Sequence, residues 1–195
     1  IINIGRWVLR QACKDAVIIN TGRISPLPMA VNVSPLNFQR GNFLSDIKQV
    51  LQDSGIDARL LELEVTEGVL MSGTDKAIEL LVAIRELGVR VAIDDFGTGF
   101  SSLSYLRQLP INKVKLDRSF IHDITSNSDS AAIVQGVITM AHHLGLQVVA
   151  EGVETQAQQE DLIARGCDLL QGFRFSQPVP LATFLQLPPR LPKAQ

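Results

Sequence analysis

The chain has 195 residues, 46% of them hydrophobic and 19% charged, a balance that suits one globular domain with a sizeable core. Its net charge of −2 excludes the broad basic surface that attracts nucleic acid, so we expect no DNA or RNA duplex as a partner. Cys13 and Cys167 form no CxxC pair, and no apolar run reaches membrane-spanning length, so we expect a cytoplasmic domain, which could belong to a membrane-anchored protein.

Hydrophobic periodicity predicts six strands that alternate with helices along the chain. The strands are predicted at 29–33, 60–66, 89–95, 113–117, 147–151 and 168–171. The helices are predicted at 1–16, from 43 to a stop at Gly55, and at 74–87, 103–109, 131–144, 156–165 and 181–185. Residues 125–130 are predicted to be a polar loop with several candidate helix caps. Residues 1–187 are therefore predicted to form the domain and 188–195 a flexible tail.

The alternation of strand and helix indicates parallel strands that are joined by helical crossovers. Two architectures have this pattern, a (β/α)8-type barrel and an open doubly wound sheet. A barrel needs eight strands, whereas six are visible. The strand count alone therefore favours an open sheet or a truncated barrel.

Polar side chains end every predicted strand. In chain order, they are Asn32, Glu64 with Glu67 just beyond, Asp94 with Asp95, Lys115 with Asp117, Glu151 with Glu154 just beyond, and Gln171. In a barrel these ends converge on one mouth, where catalysis takes place, whereas in an open sheet only the ends at the switch point meet. Six polar ends on six strands favour a functional site over a set of solvated turns.

The residue types at these ends indicate a site for hard divalent cations. Mg²⁺ and Mn²⁺ prefer oxygen ligands, and the ends that offer only oxygen are those of Asn32, Glu64, Asp94 and Asp95. The adjacent Asp94 and Asp95 can bridge two cations, an arrangement that suits in-line attack on a phosphodiester. Lys115 supplies a fixed positive charge for a phosphate oxygen, and Glu151 can act as a metal ligand or as the general base.

Six short motifs, in family order and over nearly the whole chain, resemble the EAL domain family of bacterial cyclic di-GMP phosphodiesterases. They are VNVS at 31–34, ELEVTE at 62–67, DDFGTG at 94–99, KVKLDRSF at 113–120, VAEGVE at 149–154 and QGF at 171–173. Any one motif alone would be weak, but together they are specific. The resemblance implies a TIM-like (β/α)8 barrel that cuts cyclic di-GMP to linear pGpG.

The resemblance also implies the chemistry of the strand ends. The residues that would bind the cations, two ions of Mg²⁺ or Mn²⁺, are Asn32, Glu64, Asp94 and Asp95. Lys115 would hold or polarise the nucleophilic water, and Glu151 would serve as the base or as a further ligand.

Supporting roles are implied for four more residues and one segment. Glu67 would anchor the loop that follows Asp95 and would link the site to dimer contacts. Asp117 and Glu154 would support the network around the metals, and Gln171 would contact the substrate. The segment Phe96–Leu109 resembles the region through which the family forms homodimers.

The Glu-Ala-Leu motif that names the family does not occur in this chain. In the family the motif lies on an early strand and its Glu is a metal ligand. The segment from Ile4 to Leu9 resembles the helix that shortly follows that strand. We therefore expect an N-terminally truncated barrel that is weakly active or inactive by itself, with sensor or GGDEF-type domains upstream.

Two other functions compete with the phosphodiesterase. One is a non-catalytic cyclic di-GMP receptor of the same fold, which the missing motif favours. The other is a different Mg²⁺-dependent barrel enzyme, such as an enolate-forming lyase. The retained acids at Glu64, Asp94, Asp95 and Glu151 favour the phosphodiesterase, because a receptor could lose them.

Overall fold

The computed structural model describes residues 2–38, 42–71, 75–97 and 106–187. Within these ranges the strands are β1 Met29–Val33, β2 Leu61–Thr66, β3 Arg90–Phe96, β4 Lys113–Leu116, β5 Gln147–Ala150 and β6 Leu169–Leu170. The helices are α1 Ile2–Asn20, α2 Pro35–Phe38, α3 Phe43–Ser54, α4 Glu67–Met71, α5 Asp75–Glu86, α6 Arg118–His122, α7 Ser128–His143, α8 Gln156–Ala164 and α9 Leu181–Phe184, with a 3₁₀ turn at Ala58–Leu60.

The described strands form one parallel sheet in the order β1-β2-β3-β4-β5-β6. Each strand thus pairs with its neighbours in the sequence. A doubly wound sheet reverses its strand order at a switch point, whereas a TIM-like barrel keeps the sequential order all the way round. The structure therefore confirms the barrel-type fold and excludes the open doubly wound sheet.

Helix boundaries follow the local caps. α3 ends where Gly55 adopts a left-handed conformation with φ of 70°, as predicted. α7 begins three residues before its predicted start, because the side chain of Asn127 caps it by accepting from the backbone N–H groups of Asp129 and Ser130. α1 continues four residues beyond its predicted end at Ala16. The short helices α2, α4 and α6 were not predicted, since one turn leaves little periodicity to read.

Alternation along the strands separates two buried faces of the sheet. On β2, Leu61, Leu63 and Val65 pack into the hydrophobic core with the helices. Residues of opposite parity face the inside of the curl, and there Glu62 and Glu64 are also buried. The concave face of this sheet is therefore lined with charged side chains, while the convex face is apolar.

Several expectations concern parts of the chain that the structure does not describe. The proposed tail at 188–195 lies outside the described residues, as do residues 103–105 of the predicted helix at 103–109. The division into a domain at 1–187 and a tail thus stays a prediction. Of the helices in the described ranges, none has both the length and the apolar character that a membrane crossing requires.

Candidate active site

Lys115 on β4 is the centre of the charged cluster at the concave face. Its Nζ lies 2.7 Å from Glu64 Oε2, 2.9 Å from Asp94 Oδ1 and 2.8 Å from Glu151 Oε1. The lysine is 4% exposed, and Glu64 and Asp94 are buried as well. One ammonium group therefore contacts carboxylates that come from β2, from β3 and from the residue after β5.

The curl of the sheet brings these side chains together. β2 and β4 flank β3, and adjacent strands lie about 4.8 Å apart, so Glu64 and Lys115 start from backbones about 10 Å apart. Both residues face the concave side, and the register pairs Glu64 with Ala92 on the intervening strand. The small side chain of Ala92 leaves the space through which Lys115 reaches Glu64.

Burial and ion pairing act in opposite directions on the ionisation of this cluster. Burial raises the pKa of Glu64 and of Glu151, and their hydrogen bonds with Lys115 oppose that rise without cancelling it. Burial by itself would lower the pKa of Lys115, but its hydrogen bonds with Glu151 and Glu64 outweigh burial and leave the pKa above its ordinary value. Lys115 therefore carries its charge at neutral pH.

Asp95 joins the cluster through an unusual backbone conformation. Side chains alternate along a strand, so regular pleating would turn Asp95 away from the concave face that Asp94 occupies. Asp95 instead has φ of 54°, and the pairing of β3 with β4 shifts register between Ile93 and Phe96. This local break lets the two adjacent carboxylates approach one site. Burial and repulsion from Asp94 and Asp117 raise the pKa of Asp95.

Asp94, Asp95 and Glu151 form a group that can hold a divalent cation. Each offers one carboxylate oxygen, and these oxygens all lie within 4.8 Å of one another. Among the described residues, this is the group of three or more carboxylate, His or Cys side chains whose ligand atoms lie this close together. A set of oxygen donors fits a hard cation such as Mg²⁺ or Mn²⁺ and argues against zinc.

The other two predicted ligands occupy neighbouring positions. Glu64 lies beside the group but directs Oε2 to Lys115. Asn32 on β1 is the register partner of Glu64, and its side chain is exposed. The complete four-residue ligand set stays a prediction. Glu151, which the sequence offered as a further ligand or as the base, lies together with Asp94 and Asp95.

Glu67 connects α4 to the loop that follows Asp95. Its Oε2 accepts a hydrogen bond of 3.1 Å from the backbone N–H of Gly97, thirty residues away in the chain. Gly97 has φ of 96°, and a Cβ there would lie 2.9 Å from the ring of Phe120. The contact with Glu67 is the one that the resemblance implied. The rest of the DDFGTG motif, residues 98 and 99, lies outside the described residues.

A cleft of about 330 Å³ opens beside Asp95 and Glu151. Its lining residues are Asp95, Asp117, Arg118, Glu151, Gly152, Glu154, Gln171, Gly172 and Phe173. The predicted supporting residues Asp117, Glu154 and Gln171 therefore share one cavity with Asp95 and Glu151. Arg118 was missed, although its position directly after Asp117 in the KVKLDRSF motif was a usable signal.

The supporting residues are held by local hydrogen bonds. Asp117 caps α6 by accepting from the backbone N–H of Ser119 at 2.9 Å, and hydrogen bonds with Ser119 lower its pKa. The backbone N–H of Glu154 donates to the buried Gln158. Gly172 approaches Val153 so closely that a Cβ would lie 2.2 Å from the carbonyl oxygen of Val153. The cleft wall thus depends on a residue without a side chain.

Comparison with known proteins agrees with the motifs. Residues 1–178 match the family model described as EAL domain. The chain is 48% identical over 176 residues to the cyclic di-GMP phosphodiesterase NbdA of Pseudomonas aeruginosa, an alignment that covers 90% of this chain and 22% of NbdA. It spans between 22% and 28% of the length of the curated relatives that it matches most strongly.

Solved structures share the fold. The PaMucR phosphodiesterase in complex with c-di-GMP superposes with a TM-score of 0.90 at 40% identity, and the match covers 93% of this chain and 74% of that one. BlrP1 of Klebsiella pneumoniae, solved as a manganese and cy-diGMP complex, superposes with a TM-score of 0.81 at 32% identity over 90% of this chain and 44% of that one.

Proposed function

The chain belongs to the EAL domain family, and we propose that it binds cyclic di-GMP and hydrolyses it to linear pGpG, at a low rate because the Glu-Ala-Leu motif is absent from this chain. The observation that carries the proposal is the group of Asp94, Asp95 and Glu151 beside the buried ammonium of Lys115. This arrangement suits phosphodiester hydrolysis, because it combines sites for cations, a fixed positive charge and a carboxylate that can accept a proton. Its relatives NbdA and PaMucR are named as phosphodiesterases.

The cation sites are proposed to take Mg²⁺ or Mn²⁺, two ions in all, held by Asn32, Glu64, Asp94 and Asp95. When bound, divalent cations supply positive charge to the phosphate oxygens and favour the deprotonation of an attacking water. The manganese in the BlrP1 complex supports the choice of a hard cation. At this site the carboxylates of Glu64, Asp94, Asp95 and Glu151 outnumber the ammonium group of Lys115. The negative charge that remains can be neutralised by cations.

Glu151 is proposed to accept the proton of the attacking water. Burial raises the pKa of its carboxyl, which brings it closer to the working pH of a general base. Lys115 holds Glu151 Oε1 at 2.8 Å and thereby orients the carboxylate, while its own charge is available to a developing anion. Glu67 keeps the loop after Asp95 in place through Gly97.

The cleft beside the carboxylates is proposed to receive one half of the dinucleotide. Gln171 offers hydrogen bonds to a base edge or phosphate, and Arg118 offers a positive charge. Phe173, which is 61% exposed, presents its ring to solvent and can stack on a guanine. Asp117 and Glu154 support the wall of the same cleft.

Larger assemblies are part of the proposal. The segment Phe96–Leu109, most of which lies outside the described residues, is proposed as a homodimer contact. Curated relatives are several times longer than this chain, and one of them is named as a bifunctional diguanylate cyclase and phosphodiesterase. We therefore propose that sensor or GGDEF-type domains work together with this one, in the cytoplasm.

The test is hydrolysis of cyclic di-GMP by the purified chain in Mg²⁺ or Mn²⁺, with pGpG quantified by chromatography and binding by calorimetry. We expect Glu151→Gln to lower kcat by about a hundredfold or more, the loss typical of a removed general base. The matched control is Asp161→Asn on α8, because Asp161 pairs with Arg165 away from the cleft. Binding without hydrolysis would support the receptor function instead, and the absence of both would refute the proposal.

A further inference from the structure

A second buried ion pair lies on the concave face, beneath the candidate active site. Lys113 Nζ on β4 donates a hydrogen bond of 2.9 Å to Glu62 Oε1 on β2, and Glu62 Oε2 lies 2.8 Å from the same nitrogen. Lys113 is 6% exposed and Glu62 is 4% exposed. Neither residue contacts the cleft that the site opens into.

The pair repeats the geometry of the site one step lower on the same strands. Residues two apart on a strand share a face and lie about 6.6 Å apart along it. Lys113 therefore sits below Lys115, and Glu62 sits below Glu64. On the intervening β3, Ala92 is the register partner of both Glu64 and Lys113, while the exposed Arg90 is the register partner of Glu62. The methyl group of Ala92 leaves room for both lysines to cross.

Stability by itself is a weak reason for this pair. Burying two charges has a desolvation cost that the ion pair often only balances, and apolar residues of similar volume are commonly as stable. The position of the pair supplies a better reason. Lys115 has three N–H donors and already contacts three carboxylates. If Lys113 did not hold it, Glu62 would be a fourth carboxylate competing for the ammonium group of Lys115.

We infer that Glu62 and Lys113 are positioning residues for the reaction. By neutralising each other beneath the site, they keep the ammonium group of Lys115 on Glu64, Asp94 and Glu151. Without Lys113, the unpaired Glu62 would draw Lys115 downward and away from Glu151. The catalytic consequence rests on the proposed phosphodiesterase function, whereas the placement of Lys115 can be observed without turnover.

The first measurement follows the Lys115 ammonium directly by ¹H–¹⁵N NMR of the lysine-labelled chain, with its signal assigned from Lys115→Arg. We expect Lys113→Met to shift or broaden this signal and the double variant Glu62→Gln with Lys113→Met to return it toward the wild-type position. Glu62→Gln is a second, isosteric test, because the unpaired Lys113 would then attract Glu64. An unchanged Lys115 signal in folded Lys113→Met would overturn the inference.

The second measurement is the kinetics of cyclic di-GMP hydrolysis well below the unfolding temperature. We expect Lys113→Met to lower kcat by up to about a hundredfold with a smaller change in KM, as a misplacement of about 1 Å can do. The double variant should recover part of that loss. Arg165→Met is the control, since it breaks the Arg165–Asp161 pair on α8 and should lower stability but leave kcat unchanged.

The two hypotheses fail separately. A wild-type chain that does not hydrolyse cyclic di-GMP, but whose Lys115 signal moves in Lys113→Met and returns in the double variant, contradicts the proposed function alone. A Lys113→Met variant that hydrolyses cyclic di-GMP at the wild-type rate contradicts the positioning role alone.

Discussion

Glu67 Oε2 and the backbone N–H of Gly97 are joined by a hydrogen bond of 3.1 Å, which ties the start of α4 to the loop after β3. Glu67 is buried, and Gly97 lies two residues after Asp95. A change at Glu67 therefore acts on the candidate metal ligands through the backbone, without touching them. Substitutions at Glu67 can therefore test the effect of the loop's position while the carboxylates that would bind the metal stay unchanged.

We expect Glu67→Ala to lower the free energy of unfolding by about 0.5–1.5 kcal/mol, because the partly buried hydrogen bond to the N–H of Gly97 is lost. Its affinity for Mn²⁺, measured by calorimetry, should fall as the loop after Asp95 loosens. Glu67→Gln is the matched control, since its side-chain oxygen can still accept the hydrogen bond. Wild-type Mn²⁺ affinity in Glu67→Ala would show that the contact does not hold the site.

The metal-free chain is expected to be stabilised at acid pH by Glu64 and Glu151. Each has a folded pKa raised above the ordinary value of 4.5, so its contribution to stability is present below that value and is lost as pH rises through the raised pKa. Urea unfolding between pH 4 and pH 8 in a chelator should therefore show a smaller loss with rising pH in Glu64→Gln than in wild type.

Several other carboxyls in the described structure, among them Asp117 and Asp168, have lowered pKa values and act in the opposite direction. The difference between the variant and the wild type isolates the contribution of Glu64 from theirs. Saturating Mn²⁺ should reduce that difference, because a bound cation favours the ionised carboxylates. Identical pH profiles for both chains in the chelator would contradict the raised pKa of Glu64.

Gly172→Ala is expected to be strongly destabilising, by about 3 kcal/mol or more, because its Cβ would overlap the backbone of Val153. Loss of affinity for cyclic di-GMP should accompany it, since Gly172 lines the cleft beside Glu151. The control is Gly136→Ala on α7, where a Cβ meets no atom within 4 Å. That change should stabilise the helix by about 0.5–1 kcal/mol. Equal stabilities of the two variants in urea would contradict the close approach.

Two substitutions of Asp95 can test its left-handed backbone conformation separately from its carboxylate. Asp95→Ala and Asp95→Gly both remove the carboxylate and should both weaken Mn²⁺ binding. Since φ at this position is 54°, glycine should leave the chain more stable than alanine by about 1–2 kcal/mol. Chemical denaturation of the two variants measures that difference. A chain with alanine as stable as the one with glycine would show that the left-handed conformation is not retained.

Much of the architecture follows from the sequence by itself. The alternation of strand and helix, the strand positions to within one or two residues and the polar strand ends are all local properties, because side-chain period and helix caps are set by neighbouring residues. The choice between a barrel and an open sheet was not local. It depended on which strands pair, and the sequential order of the sheet decided it.

The composition of the site was predictable, but its contacts were not. The motifs named Glu64, Asp94, Asp95, Lys115 and Glu151, yet nothing in their spacing showed that one ammonium group would contact three carboxylates. β3 and β5 pair directly with β4, and the curl of the sheet brings Glu64 on β2 within reach of Lys115. Asp95 reaches the concave face through a left-handed backbone that the alternation of a strand would not predict. The sequence determined which chemical groups stand at the strand ends, and the tertiary structure decided which of them meet, because register and backbone twist depend on the whole sheet.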